Sequence, residues 1–297
     1  MFRLVAGSAC LLASLAGATA AHTTAAHTTA AHTAAGQAAA GQAVSRQASA
    51  PYAKVDLIAS GPAVTPGSDL WIGLRFQLDP GWHVYWRNPG DSGNPPVVRW
   101  QLPDGVRAGE IVWPAPERIP AGTLVNYGYS NGVVLPVPLT IATGVAGPVT
   151  VGLQVKWLVC QELCVPGQAR LELKLPLGAA ENAEVSGWKR LIDQARAREP
   201  QAAPSTWKAR AASQKDEFVI TIDTGARETQ GVFFPIEVSQ INDSAPQRVR
   251  ALDRGLELTL RKSDQLRADP AGLTGVLALP GRPAYVITAP VSRSGPD

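Results

Sequence analysis

Beyond its N-terminus, the 297-residue chain has no uninterrupted apolar run of the ~18 residues that a membrane span needs. Basic runs are missing too. Lys and Arg total 27 against 24 Asp and Glu, a net charge of only +3, which leaves no dense basic face for a nucleic acid. There is a single methionine, Met1, so a thioether-rich copper site is excluded. Cysteine is limited to Cys10, Cys160 and Cys164, and histidine to His22, His27, His32 and His83. Whatever chemistry the chain performs must draw on a very short inventory of reactive side chains.

The one early apolar stretch, Leu4 to Leu15, follows Arg3 and precedes Ala18-Thr19-Ala20, a small-x-small cleavage pattern. Residues 1–20 are expected to be a signal peptide, removed after export. Cys10 does not fit a lipidation signal, because Gly7-Ser8-Ala9 lacks the preceding leucine and the apolar run continues past it. Cleavage removes Cys10 and leaves two cysteines in an oxidising compartment. Residues 21–50 repeat Ala-His-Thr-Thr-Ala and then Gly-Gln-Ala, with almost nothing large to bury, and are expected to form a disordered tether. Its three histidines share no helical face and are read as part of a slipped repeat.

Three further segments follow. Residues 51–178 read as β structure: Leu70, Ile72, Leu74, Phe76 and Leu78 alternate with Trp71, Gly73, Arg75 and Gln77, and turn signals such as Asp79-Pro80-Gly81 and Asn94-Pro95-Pro96 separate short apolar runs. Residues 179–212 contain a helical pattern (Val185, Trp188, Leu191, Ile192, Ala195) ended by Pro200 and Pro204, and read as helix and linker. Residues 213–292 return to β character in five stretches: Phe218–Ile222, Phe233–Val238, Leu256–Leu260, Leu273–Leu279 and Tyr285–Ala289. This second β domain has neither Cys nor His, and a docking or spacing role suits it. The fold class is all-β: a sandwich carrying a cysteine hairpin, joined through a helical linker to a smaller β domain.

The cysteines sit between two amphipathic stretches, Val149 to Val159 and Ala169 to Leu175. Setting Cys160 opposite Cys164 pairs Val159 with Val165, Val155 with Ala169, Leu153 with Leu171 and Val151 with Leu173, apolar on apolar, whereas a one-residue slip destroys the match. Opposed residues of this kind lie ~4.5 Å apart at Cα, within disulfide reach. Both cysteines are then expected on the face away from the core, open to a partner. A loop of about five residues restrains the unfolded chain by only ~2 kcal/mol, against ~4.7 for a hundred-residue loop, so a purely structural staple is the weaker reading. Exchange needs an accessible sulfur. Lys156 shares the Cys160 face and favours a thiolate, and Glu162 opposes it. The aromatic run Trp82, His83, Tyr85 and Trp86 could shield the pair or form a partner surface, although Trp82 and Trp86 are expected to fill the core. His83 could act as acid or base near the sulfurs, although a structural role is expected.

The stretch Gly81-Trp82-His83-Val84-Tyr85-Trp86-Arg87-Asn88-Pro89-Gly90-Asp91-Ser92-Gly93, then Trp113-Pro114-Ala115-Pro116-Glu117, Tyr127-Gly128-Tyr129, and Cys160 to Pro166, resembles the N-terminal periplasmic region of the DsbD-like family, in its ScsB-type branch (suppressor of copper sensitivity). The resemblance spans roughly residues 52 to 290. It implies an immunoglobulin-like sandwich with Cys160 and Cys164 as the redox-active pair, three residues between them as in the ScsB branch. It implies a periplasmic thiol:disulfide oxidoreductase of the protein-disulfide reductase type, with no organic cofactor. The implied partners are a membrane-embedded DsbD/ScsB-like electron donor and periplasmic thioredoxin-fold proteins. No residue is carried over for the loop that shields the pair in DsbD itself. The family's membrane segments and C-terminal thioredoxin domain have no counterpart here, so a stand-alone protein with a separate membrane partner and a fragment both remain open. Two rival functions also stay open: a copper-tolerance module binding Cu(I) through the same thiolates, and a structural sandwich with an inert disulfide.

Overall fold

The computed structural model describes residues 45, 47–178 and 187–293. The expected signal peptide, Cys10, the three N-terminal histidines and Val185 lie outside these residues. Down the chain the first strands are β1 (Ala48–Ala50), β2 (Ala53–Ala59), β3 (Asp69–Leu78), β4 (His83–Gly90), β5 (Val97–Gln101) and β6 (Val106–Ala108). There follow β7 (Glu117–Ala121), β8 (Leu124–Ser130), β9 (Gly132–Ile141), β10 (Val149–Cys160) and β11 (Cys164–Leu175). After helix α1 (Gly187–Arg196) come β12 (Gln201–Ala202), β13 (Lys208–Ser213), β14 (Glu217–Asp223), β15 (Val232–Pro235), β16 (Arg248–Leu252), β17 (Gly255–Arg261), β18 (Gly272–Ala278) and β19 (Tyr285–Arg293).

Two sheets form the sandwich. The first runs β1-β2-β3-β9-β6, the second β11-β10-β4-β8-β7 with β5 paired to β10. Period-two alternation decides their facing sides: Val55 and Leu57, Ile72, Leu74 and Phe76, and Leu135, Val137 and Leu139 point inward from the first sheet. Val84 and Trp86, Tyr127 and Tyr129, the odd-numbered residues Val149 to Val159, and Leu171, Leu173 and Leu175 meet them from the second. Phe76 and Trp157 join the layers edge to face, with ring centroids 5.8 Å apart. The expected core roles of Trp82 and Trp86 hold, and Trp82 also stacks on Tyr52 at 3.7 Å.

The third sheet, β15-β18-β19-β13-β14-β17-β16 with β12 beside β19, encloses its own apolar cluster. It rests on the sandwich through Phe234 and Val276, which join the sandwich core, and Phe234 meets the rings of Trp86 and Tyr127. Polar contacts fasten the same seam. The Asn88 side-chain amide donates to Pro235 O at 2.8 Å, and the Tyr127 hydroxyl donates to Asp243 Oδ1 at 2.8 Å.

Helix α1 lies over the outer side of the first sheet. Ile192 is buried there against Gly73, whose missing side chain leaves the space. Arg75 lies over the Trp188 ring and Arg196 over that of Trp71.

Three segments depart from the sequence reading. Ala48–Ala50, expected in the tether, pair with β2, and Ser45 exchanges hydrogen bonds with Leu57. Backbone bonding needs no large side chain, so an Ala/Ser stretch can close a sheet edge. Lys208–Ser213, expected in the linker, form β13 in the centre of the third sheet, and Arg248–Leu252 form β16. Both have few β-branched or aromatic residues, and neighbouring strands supply the order that propensity does not.

Candidate active site

The register of β10 and β11 is the one the apolar pattern requires: Cys160 opposite Cys164, Val159 opposite Val165, and so on to Val149 opposite Leu175. Gln161-Glu162-Leu163 make the turn, and the two sulfurs are bonded, with Cα atoms 4.2 Å apart. The two cysteines are not equally open, however. Cys164 is exposed, while Cys160 is only 1% exposed. The expectation that both sulfurs face a partner is corrected for Cys160. β10 is an interior strand, and at its end His83 of β4 pairs directly with Cys160. That pairing brings the outward side chains of β4 over the inner half of the disulfide.

The side chain on the sulfurs is Tyr85. Its hydroxyl donates to Cys160 Sγ at 2.8 Å and lies 3.5 Å from Cys164 Sγ. Burial pushes the Tyr85 phenol above its ordinary value, with Ser92 pulling the other way, so it stays a donor at neutral pH. Two neighbours hold the ring. Gly93, at φ 83°, lies flat against it: a Cβ there would come within 2.1 Å of Tyr85 Cζ. On β8, Asn126 donates to the Tyr85 hydroxyl at 3.5 Å and to His83 Nε2 at 3.2 Å, while its Oδ1 accepts from Ser92 at 2.8 Å.

His83 is therefore one link away from the sulfurs. It is buried, its ring meets Tyr85 edge-on at 5.2 Å, and desolvation lowers its pKa. A neutral ring accepting from Asn126 fits that environment. Among the described residues no group of three or more His, Cys, Asp or Glu is placed to hold a metal ion. Among the same residues no helix is long and apolar enough to cross a membrane.

The sequence reading weighed Tyr85 only as one of an aromatic run that could shield the pair, and did not pick out Asn126. A signal for Tyr85 was present. On β4, Val84 and Trp86 are core residues, so His83 and Tyr85 must share the opposite face, the face of the cysteines. Missing was the knowledge that β4 pairs with β10. Asn126 had no such signal, since it is a polar residue between apolar ones on β8.

Chemically, the arrangement gives the two sulfurs different roles. An incoming thiolate can reach Cys164 Sγ, and the bond it breaks releases Cys160 as a thiolate beneath a hydroxyl already aimed at it. Charge-assisted hydrogen bonds to such an ion are about twice as strong as neutral ones.

Comparison with known proteins agrees with this geometry. Residues 54–176, β2 through β11, match the family described as "Thiol:disulfide interchange protein DsbD, N-terminal". Comparison with curated proteins returns no match. The crystal structure of the N-terminal periplasmic domain of ScsB from Proteus mirabilis superposes with a TM-score of 0.65 at 19% identity. That alignment covers 84% of this chain and 99% of that one, so the likeness in fold includes the third sheet. A yeast GGA1 GAE domain aligns at 8% identity over 44% of this chain and 96% of its own, with a TM-score of 0.24. Residues 54–176 thus match the DsbD N-terminal family, and the chain shares the fold of the ScsB N-terminal periplasmic domain, with Cys160 and Cys164 bonded to each other in the matched region.

Proposed function

We propose that this chain is a periplasmic protein-disulfide reductase, relaying reducing equivalents from a membrane-embedded donor of the DsbD/ScsB kind to thioredoxin-fold partners through Cys160 and Cys164. The observation that carries the proposal is the asymmetry of the disulfide, one sulfur exposed and the other buried under the Tyr85 hydroxyl.

In the reduced protein, Cys164 attacks the partner disulfide as a thiolate. A bond forms between Cys164 Sγ and one partner sulfur, and the other partner sulfur leaves with the electron pair and takes up a proton. Cys160, deprotonated, then attacks Cys164 Sγ, closes the intramolecular disulfide and releases the second partner sulfur as a thiolate. Two electrons have moved to the partner and none remain in an intermediate. Loading by the membrane donor runs the same steps in reverse, with the donor's thiolate attacking Cys164 Sγ and Cys160 leaving.

The test is a pair of single substitutions. Cys160→Ser keeps the exposed nucleophile and removes the resolving thiol, so it should accumulate a mixed disulfide with a thioredoxin-fold protein. Cys164→Ser leaves only the buried thiol and should trap little. Failure of both variants to trap any such protein sinks the proposal, and stronger trapping by Cys164→Ser reverses the assignment of roles.

A further inference from the structure

The outer face of the cysteine hairpin continues beyond the disulfide. Side chains sharing that face repeat every second residue, so the cross-strand pairs running inward from Cys160–Cys164 are Leu158–Pro166 and then Lys156–Gln168. At a rise of ~3.4 Å per residue, the Leu158–Pro166 pair lies about 7 Å from the disulfide. These residues floor a groove of about 490 Å3, walled on one side by Asn94, Pro95 and Val97. Its surface is mainly apolar, and Val97 is left 55% exposed. On the other side of Cys164, at the tip of the hairpin, Leu163 is 74% exposed. Among the described residues large apolar side chains so open to solvent are few; Leu163 lies beside the accessible sulfur, and Val97, paired with Lys156, lies on the wall of the groove. Lys156 closes the far end of the groove with a positive charge.

We infer that this groove is the docking subsite for the polypeptide around the partner's reactive cysteine, and that it takes an apolar side chain carried about 7 Å from the partner's sulfur. The inference rests on the exchange reading above and deepens it. A partner sulfur bonded to Cys164 has its own chain on one side of the disulfide or the other. On the groove side it meets Leu158 and Val97, and on the tip side Leu163. In an extended segment, the residue two positions from the cysteine reaches the required distance. Continuity with the sulfur makes the occupant the exchange partner: whatever fills the groove must be attached to, or lie beside, the thiol that attacks.

The Cys160→Ser protein, whose Cys164 is free, tests this with two peptide disulfides, the homodimers of Gly-Gly-Cys-Gly-Gly and of Leu-Gly-Cys-Gly-Leu. The equilibrium constant for the mixed disulfide is read by mass spectrometry after acid quench. The leucine peptide should be favoured about tenfold, the equivalent of ~1.4 kcal/mol, as expected for a leucine side chain partly removed from water. Adding Val97→Asp should bring that preference below about twofold while leaving the glycine peptide unchanged, which also shows that the variant is folded and its Cys164 reactive. Equal constants for the two peptides, or a preference that survives Val97→Asp, overturn the groove assignment and leave the exchange reading standing. No mixed disulfide with either peptide overturns both.

Discussion

Replacing Tyr85 with Phe removes one oxygen and leaves the ring where Gly93 packs against it, so the expected consequences follow from a single hydrogen bond. In the oxidised protein that hydroxyl meets Cys160 Sγ at 2.8 Å. When Cys160 leaves as a thiolate, the bond becomes charge-assisted, and hydrogen bonds to charged groups contribute ~1.5–3 kcal/mol. Divided by 1.36 kcal/mol per unit, its loss should raise the Cys160 thiol pKa by about 1–2 units. Attack on Cys164 develops only part of that charge in the transition state. Taking about half gives ~0.8–1.5 kcal/mol, or a four- to twelvefold slower reduction of the domain by a small thiol. Stopped-flow reduction of the oxidised domain by dithiothreitol gives the rate, thiolate absorbance of the reduced domain across a pH range gives the pKa, and thermal melting checks the fold. A Tyr85→Phe protein with the thiol pKa and reduction rate of the parent would mean that the hydroxyl only fills space, and the account of Cys160 as a stabilised leaving group would be wrong.

Other outcomes are equally specific. A disulfide built for exchange should have a reduction potential above about −300 mV, whereas an inert structural one should lie below it, and equilibration with glutathione or dithiothreitol buffers decides. Arg75 grips the buried Asp56 with two hydrogen bonds and also stacks on Trp188. Arg75→Ala should therefore cost ~3–5 kcal/mol in denaturant unfolding, because it leaves a buried carboxylate without its cation and with only the Gln47 amide donating to it. A Cβ at Gly167 would come 2.2 Å from the Trp157 ring, so Gly167→Ala should destabilise by ~1–3 kcal/mol through overpacking. Asp243 is pushed up to about 6 by burial and by Asp91, with Tyr127 and Arg118 pulling it back only in part. Its folded-state pKa exceeds its unfolded value, so stability falls as pH rises from about 4 to 6. Asp243→Asn should flatten that slope by about 3 kcal/mol across the window, read as the difference between the two proteins' melting curves.

The sequence was most informative where one face of a strand is buried and the other is not. The hairpin register could be read from Val151, Leu153, Val155 and Val159 against Leu173, Leu171, Ala169 and Val165, because a slip would have turned every one of them outward. Four of the five strand candidates in the third sheet carry closely spaced apolar residues and appear nearly as expected. Phe233–Val238 is shorter, ending at Pro235, where the chain turns at the seam with the sandwich. What could not be read is anything set by pairing between distant strands. The Cys160–His83 pairing joins residues 77 positions apart, and it is this pairing that buries one sulfur. Ala-rich β13 has almost no pattern of its own and is ordered by β14 and β19 on either side.

That long-range pairing also explains how a disulfide closing so short a loop can have unlike ends. Within the hairpin alone, Cys160 and Cys164 are opposed residues of one rung with the same side-chain direction, and nothing local distinguishes them. β11 is the edge strand of its sheet, so Cys164 keeps an open flank. β10 is bounded by β4, so Cys160 does not. Tyr85 adds direction to this difference, and its position depends on groups from two further segments, Gly93 from the turn after β4 and Asn126 from β8. Asn126 is followed by Tyr127, whose hydroxyl is bound to Asp243 of the third-sheet region. The strand that holds the Tyr85 network on one face is thus fastened to the second β region by its other. On the proposed exchange chemistry a role for that region needs no reactive residue of its own: fixing β8 would keep the Tyr85 hydroxyl over the sulfur that leaves.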